Sequence, residues 1–348
     1  SDLPSVHVGW RDVPTTPGGF ANLPPLPRDD SDRIAEVVLT SGTTSAPQSV
    51  SITHANLRAV LDGFQVEAQK YQRVIQLAPT LHIAVALPLS HLYGQVMGAF
   101  IPVLLSANVS FLETMPAAHL ATALRNQSTW ALATVPHTLA KLGTHLMEIG
   151  SREWSPTGME QRLEDAEGLP WYRRWKLFDP VRRRVGRRLV AVISGGARLD
   201  AATEALWRRL GYLVIQGYGL TEAAPLVTLN HPFRPSAGTV GKPLPGVEVK
   251  LGATGEILVR GKNVDSPEDT ESRVDVEGWL HTGDLGEIAG DLVGVEPPAL
   301  QVGGHETNVV PGIAEDDGTL GLLVFEDPRE VGLLLLCGGH HEEVLDLL

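Results

Sequence analysis

Apolar positions along this chain change period several times, and the changes divide it. Residues 1–33 are dense in Pro and Gly without sustained periodicity and read as an irregular lead-in. Ile34 to Leu39 is a short β-rich run, followed by a Ser/Thr/Gly loop over 40–49. Leu57, Val60, Leu61 and Phe64 then recur at helical spacing, with Thr53 placed to cap that helix.

Alternation continues from there. Strands are expected at 83–89, 109–112, 130–135, 189–193 and 212–216. Between them lie helical patterns at 95–105, 116–126, 136–149 and 200–210, and another opened by Asp179-Pro180. Such βαβα order predicts an α/β fold with a mostly parallel, helix-covered sheet. Beyond Pro232 the runs become short and β-rich, at 247–251, 256–260 and 279–281, separated by Gly and Pro. From about Ala289 the chain is acidic and Gly-rich with weak periodicity, and no internal repeat is visible. The expected division is an α/β nucleotide-binding domain at 34–232, a β-rich subdomain at 233–289 and a short remnant at 290–348.

Composition narrows the class. With 43% apolar and 20% charged residues the chain is ordinary globular protein. Its formal charge of −13 argues against a nucleic-acid partner, which needs a basic footprint. Cys337 is the only cysteine, so the expected setting is reducing and cytoplasmic. No stretch reads as a secretory signal, and the dense apolar runs at 99–105 and 333–336 are too short to span a bilayer. A soluble protein is expected.

Four loops carry candidate chemistry, each after an expected strand or within the β-rich part. Thr40, Ser41, Gly42, Thr43, Thr44, Ser45, Ala46 and Pro47 would gather hydroxyls and backbone N–H groups at one point, which suits a polyphosphate. No Gly-Lys-Ser/Thr ends this loop, so it is not a Walker loop. In Gln216, Gly217, Tyr218, Gly219, Leu220, Thr221 and Glu222, two glycines let backbone approach a planar ligand while the tyrosine stacks on it. Thr221 offers a hydroxyl to phosphate and Glu222 a hard oxygen to Mg²⁺. Gly195, Gly196 and Ala197 follow Ser194 at a strand end, and Asp284 closes the run from Trp279, where a carboxylate suits the hydroxyls of a ribose. Read singly, each has a bland alternative: a hydroxylated turn, a packed tyrosine, a Gly-pair turn, an Asp in a β-turn.

Together they are specific. Thr40–Pro47, Pro88–Gly94 (PLSHLYG), Gly195–Ala197, Gly217–Glu222, Gly255–Gly261 (GEILVRG) and Gly278–Asp284, in this order and at these spacings, resemble the acyl-CoA synthetases. These belong to the adenylate-forming (AMP-binding) superfamily that also holds luciferases and peptide-synthetase adenylation domains. The resemblance covers roughly 34–288. Through Gly217–Pro232 (GYGLTEAAPLVTLNHP) and Thr239–Pro245 (TVGKPLP) it leans toward the long-chain, fatty acid–CoA ligase members.

The resemblance implies ligands and roles. Thr40 to Thr44 would hold the β- and γ-phosphates of ATP. Gly195, Gly196, Ala197, Gln216 and Tyr218 would frame adenine, within loops that include Gly217 and Gly219. Thr221 would touch the α-phosphate, Glu222 would serve Mg²⁺, Asp284 the ribose, and His91 the substrate carboxylate and acyl pocket. The implied partners are a carboxylate, a fatty acid, and coenzyme A; a loop histidine is the alternative for His91.

Several features depart from that family. Only about forty residues precede the phosphate loop, so the chain is expected to be truncated. Gln48 stands where the loop usually carries a lysine, and no hinge or swinging-domain lysine can be placed in 290–348, which holds no Lys and a single Arg, Arg329. The region 262–278 is shortened. A non-catalytic AMP- or ATP-binding relative is therefore the second reading, and if turnover survives, Arg260 and Lys262 are the replacement cations to consider. Residues 171–188 hold eight Arg/Lys among Trp171, Trp175 and Phe178 and read as a solvated helix face, with CoA phosphates or an anionic membrane surface as alternative partners. His340-His341-Glu342-Glu343 reads as a polar tail rather than a metal site.

Overall fold

The computed structural model describes residues 7–8, 31–40, 48–75, 80–113, 115–233, 238–264, 273–296, 320–327 and 330–337. The chain divides into two compact units, Ser1–Pro298 and Ala299–Leu348.

In the first unit the main sheet is built from β1 (His7–Val8), β4 (His82–Val85), β5 (Asn108–Phe111), β6 (Ala131–Thr134), β7 (Ala191–Ser194), β8 (Leu213–Tyr218), β9 (Thr228–Leu229) and β10 (Lys242–Pro243). Their order across the sheet is β1-β5-β4-β6-β7-β8-β9-β10. The five central strands β5, β4, β6, β7 and β8 are parallel, while β1, β9 and β10 pair antiparallel at the two edges.

Register explains the two-sided core. Ala84, Leu132, Val192 and Val214 align across four strands, and successive side chains on a strand face opposite ways. That row packs against Leu120 and Leu124, Leu139, Leu142 and Leu146, Val181 and Val185, and Trp207. These residues lie on helices Ala117–Asn126, Pro136–Trp154, Asp179–Val185 and Ala201–Arg209. The opposite face, with Ile83, Val85, Val109 and Ala133, meets Val96, Met97 and Ile101. These sit on a helical stretch from Leu92 to Leu104 that widens to a π-helical turn at Val96–Phe100. The expected α/β fold, parallel and helix-covered, is the fold observed.

Several elements differ from their expected form. The run after the lead-in forms β2 (Ile34–Thr40), which pairs antiparallel with β3 (Gln48–Thr53) as a separate hairpin sheet. Polar residues alternate with Val50 and Ile52 in β3, and those two apolar side chains are buried against Val60 and Leu226. Thr53 caps helix His54–Gln69 as expected, and Asn56 completes a capping box. Helix Pro156–Asp165 lies where the sequence shows mainly polar residues, and helix Trp171–Leu177 falls within the segment read as a helix face.

The solvated-face reading of 171–188 needs correction at two cations. Arg182 is 2% exposed, its guanidinium lies 4.6 Å from the Trp175 ring centre and 4.3 Å from that of Tyr212, and it donates to Leu189 O. Arg174 donates to the carbonyls of Leu169 and Arg208. Aromatic faces and carbonyls supply partners for charge that would otherwise be costly to bury.

A second sheet, wholly antiparallel, has the order β11 (Val247–Leu251), β12 (Glu256–Gly261), β13 (Leu280–Ala289) and β14 (Leu292–Val295). Ile257, Val259, Leu280 and Val293 form its core with Ala223 and Val227, and Tyr218 packs against them. The carboxyl end of β8 is thus joined to this sheet. In the second unit, β15 (Leu320–Asp327) pairs antiparallel with β16 (Glu330–Cys337). No helix among the described residues is long and apolar enough to cross a membrane.

Candidate nucleotide site

Two of the expected site loops, Gly195–Ala197 and Gln216–Glu222, sit at the carboxyl ends of neighbouring parallel strands, β7 and β8. Ser194 and Gln216 are register partners at the ends of β7 and β8, and Thr134 partners Ser194 from β6. This row is polar and buried, with exposures of 0, 2 and 6% for Thr134, Ser194 and Gln216. Thr134 Oγ1 donates to Ala86 O at 3.3 Å. Among the described residues, Ser194 Oγ and Gln216 Nε2 have no partner. A buried polar atom left unpaired costs about 1–3 kcal/mol, so two at adjacent strand ends mark a place built for something besides packing.

Gly195, Gly196 and Ala197 turn away from β7. A Cβ at Gly195 would lie 2.7 Å from Cζ of Tyr93, so the tyrosine ring rests directly on this loop. Burial pushes the Tyr93 phenol up, and among the described residues its hydroxyl has no partner. In the sequence Tyr93 stands out only as a member of the Pro88–Gly94 run. His91, two residues earlier, is exposed and makes no capping hydrogen bond to the helix it precedes.

The Gln216–Glu222 loop is held by tight contacts. A Cβ at Gly219 would fall 1.8 Å from Pro225 O, which excludes every other residue type without a backbone shift. Gln216 N donates to Asn230 Oδ1 at 2.9 Å, and buried Asn263 donates to Ala223 O at 3.1 Å. Thr221, Glu222 and Ala223 form a single 3₁₀ turn. The two asparagines were missed from sequence, because an amide that braces a loop looks like any polar residue in a turn.

Tyr218 then connects the loop to the second sheet. Its hydroxyl donates to Asp284 Oδ2 at 2.8 Å. Burial raises the phenol well above its ordinary range, and the nearby carboxylates of Asp284 and Glu222 push the same way. Glu222 itself faces Arg273, with Nη1 3.3 Å from Oε1. Tyr218, Glu222, Asp284 and Arg273 therefore share one neighbourhood.

Of the two cations considered from sequence, Arg260 is committed: it pairs with Glu248 at 2.7 Å and lies 4.3 Å from the Trp279 ring centre. Lys262 is exposed. In the phosphate-loop candidate, Thr40 ends β2 and Ser41, Gly42, Thr43 and Thr44 lie outside the described residues. Among the described residues, no three His, Cys, Asp or Glu side chains gather as a metal-ligand group.

A helix-covered parallel sheet with glycine-bearing loops at its carboxyl ends is the arrangement in which open α/β proteins bind their ligands. The profile of the AMP-binding enzymes matches residues 5–266, and the chain belongs to that family. It is 28% identical over 284 residues to a putative fatty-acid–CoA ligase, fadD11, of Mycobacterium tuberculosis, covering 74% of this chain and 48% of that protein. It is also 28% identical over 312 residues to long-chain-fatty-acid–CoA ligase FadD15 of Mycobacterium bovis, covering 81% and 50%.

Two solved structures show the same fold. One is O-succinylbenzoate coenzyme A synthetase (MenE) from Bacillus subtilis in complex with AMP, at TM-score 0.52 and 22% identity over 76% of this chain and 49% of that one. The other is an ATP-bound RpMatB-BxBclM chimera, at TM-score 0.55 and 24% identity over 77% and 48%. The chain spans about half the length of the curated relatives it matches.

Proposed function

We propose that this chain binds ATP and a carboxylic acid, a fatty acid, and forms the acyl-adenylate that a CoA ligase passes to coenzyme A. The observation that carries the reading is the Tyr218–Asp284 hydrogen bond. It joins Tyr218, at the end of β8 beside the strand that carries Gly195–Ala197, to Asp284 in β13 of the second sheet, 66 residues on. The relatives named as fatty-acid–CoA ligases support the substrate class.

In this reading adenine lies against the Gly195–Ala197 backbone, framed by Gln216 and Tyr218, with Gly217 and Gly219 allowing close approach. The unpaired Ser194 Oγ and Gln216 Nε2 give hydrogen-bond capacity at those strand ends. Asp284 keeps Oδ1 for the ribose while Oδ2 holds Tyr218. Thr221 takes the α-phosphate, Thr40–Thr44 the outer phosphates, and His91 lies at the acid's entrance. The carboxylate oxygen bonds to the α-phosphorus as the bond to pyrophosphate breaks; the thiolate of CoA then bonds to the acyl carbon and AMP leaves. Positioning and charge neutralisation carry the first step. Mg²⁺, expected at Glu222, meets a carboxylate already paired with a guanidinium, and that does not fit a protein-held metal.

The test measures AMP binding by thermal shift, and exchange of labelled pyrophosphate into ATP across acids of graded length. Acid-dependent exchange that peaks with long chains is expected. Because Gln48 replaces the loop lysine of the resembling family, the expected rate lies below about 1 s⁻¹, the low end of ordinary turnover. AMP binding without exchange for any acid would leave the non-catalytic reading in its place.

A further inference from the structure

We infer that Arg273 is a fixed cation of the phosphate subsite, holding a nucleotide's phosphate at the position where a metal at Glu222 is expected. The inference rests on the nucleotide site proposed above and deepens it.

Arg273 is placed by backbone. Its carbonyl accepts from His281 N at 2.7 Å, the next residue, Val274, bridges to Leu280, and Val274 is 9% exposed in the core of the second sheet. The turn that follows is tied by Asp275, whose carboxylate accepts from the N–H groups of Glu277 and Trp279 at 2.9 Å. The guanidinium is thereby delivered to the 3₁₀ turn that holds Thr221 and Glu222.

The contact is under-committed. An Arg–carboxylate pair is commonly bidentate at about 2.7–2.9 Å; here one nitrogen stands 3.3 Å from one oxygen. Against the described residues Arg273 keeps most of its five donors, and its side chain is 40% exposed where Glu222 is 12% exposed. Glu222 needs a partner because a carboxylate removed from water is costly alone. Arg273 supplies it and retains N–H groups for a second anion. Bound phosphate would then share the guanidinium with Glu222, and a planar, permanently charged fork suits that role.

The experiment measures affinity for adenosine, AMP and ATP by titration calorimetry, with EDTA and with added MgCl₂. Wild type and the variants Arg273→Gln, Arg273→Lys and Glu222→Gln are compared. Arg273→Gln should weaken AMP about ten- to a hundredfold, the range of a lost hydrogen bond to a charged group, and leave adenosine unchanged. Wild-type AMP affinity should be the same in EDTA and in Mg²⁺. Glu222→Gln should hold AMP in EDTA at least as well as wild type, since it frees the guanidinium. Arg273→Lys, which keeps charge but loses the fork, should lie between wild type and Gln. If wild type binds AMP but Arg273→Gln binds it equally well, or if Glu222→Gln abolishes an affinity gain given by Mg²⁺, Arg273 is not the phosphate cation. Equal weakening of adenosine and AMP by Arg273→Gln would likewise overturn it, as a structural effect. Failure of wild type to bind any of the three ligands overturns the nucleotide site itself.

Discussion

Removing either partner of the Tyr218–Asp284 hydrogen bond should be costly, and unequally so. In Tyr218→Phe the ring still packs against the second sheet and only the hydroxyl is lost. Asp284 is half-buried, so its freed oxygen regains water, and the loss should be about 1 kcal/mol. In Asp284→Ala the phenol is left in a site whose burial already raises it strongly, with no carboxylate to accept its proton. That loss should be about 2–3 kcal/mol, the cost of an unpaired buried donor. The double variant should cost about 1–2 kcal/mol less than the sum. Urea unfolding of the four proteins without nucleotide measures this, provided the slopes agree. Repetition with AMP at about 100 times its dissociation constant should add about 2.7 kcal/mol to wild type. Tyr218→Phe should keep most of that gain and Asp284→Ala little of it. A coupling below about 0.5 kcal/mol, within ordinary additivity error, or a larger loss in Tyr218→Phe than in Asp284→Ala, would refute the reasoning.

Three further outcomes follow from particular contacts. Gly219→Ala should cost about 3 kcal/mol or more, because its Cβ cannot share space with Pro225 O; a thermal melt that matches wild type would contradict this. Arg182→Met should be within about 1 kcal/mol of wild type, since apolar volume replaces a desolvated charge, whereas Arg182→Ala should lose about 3 kcal/mol to the cavity and lost ring contacts. Chemical denaturation separates these, and equal losses would be inconsistent with the account. Burial works to raise the Glu256 carboxyl, but the hydrogen bonds from His281 and Gly283 N–H and the charges of His281 and Arg273 outweigh it, leaving it below 4.5. A depressed carboxyl contributes stability that is full above its unfolded value and is lost as pH falls through the folded one. Stability should therefore decline below about pH 4.5, and Glu256→Gln should flatten that decline in acid titrations followed by circular dichroism.

What the sequence made legible follows from which forces act locally. Leu120 and Leu124, or Leu139, Leu142 and Leu146, repeat at helical spacing because one face of each helix meets the sheet. The alternation of such helices with β-rich runs is enough to place five parallel strands. The β2–β3 hairpin was hidden because a strand, a polar loop and a helix read the same whether or not a second strand intervenes. Only the burial of Val50 and Ile52 under Val60 reveals it.

Charge misled in the other direction. Arg182 and Arg273 carry the same side chain in segments that look equally solvated, yet one lies between two aromatic rings and the other faces a carboxylate in the candidate site. No local pattern distinguishes them, since the partners are supplied by Tyr212 and Glu222, 30 and 51 residues away in sequence. Motif residues such as Tyr218 and Asp284 could be named because glycine loops and strand ends recur together. The cation beside them has no such signature, because a guanidinium reaches its target from many backbone positions.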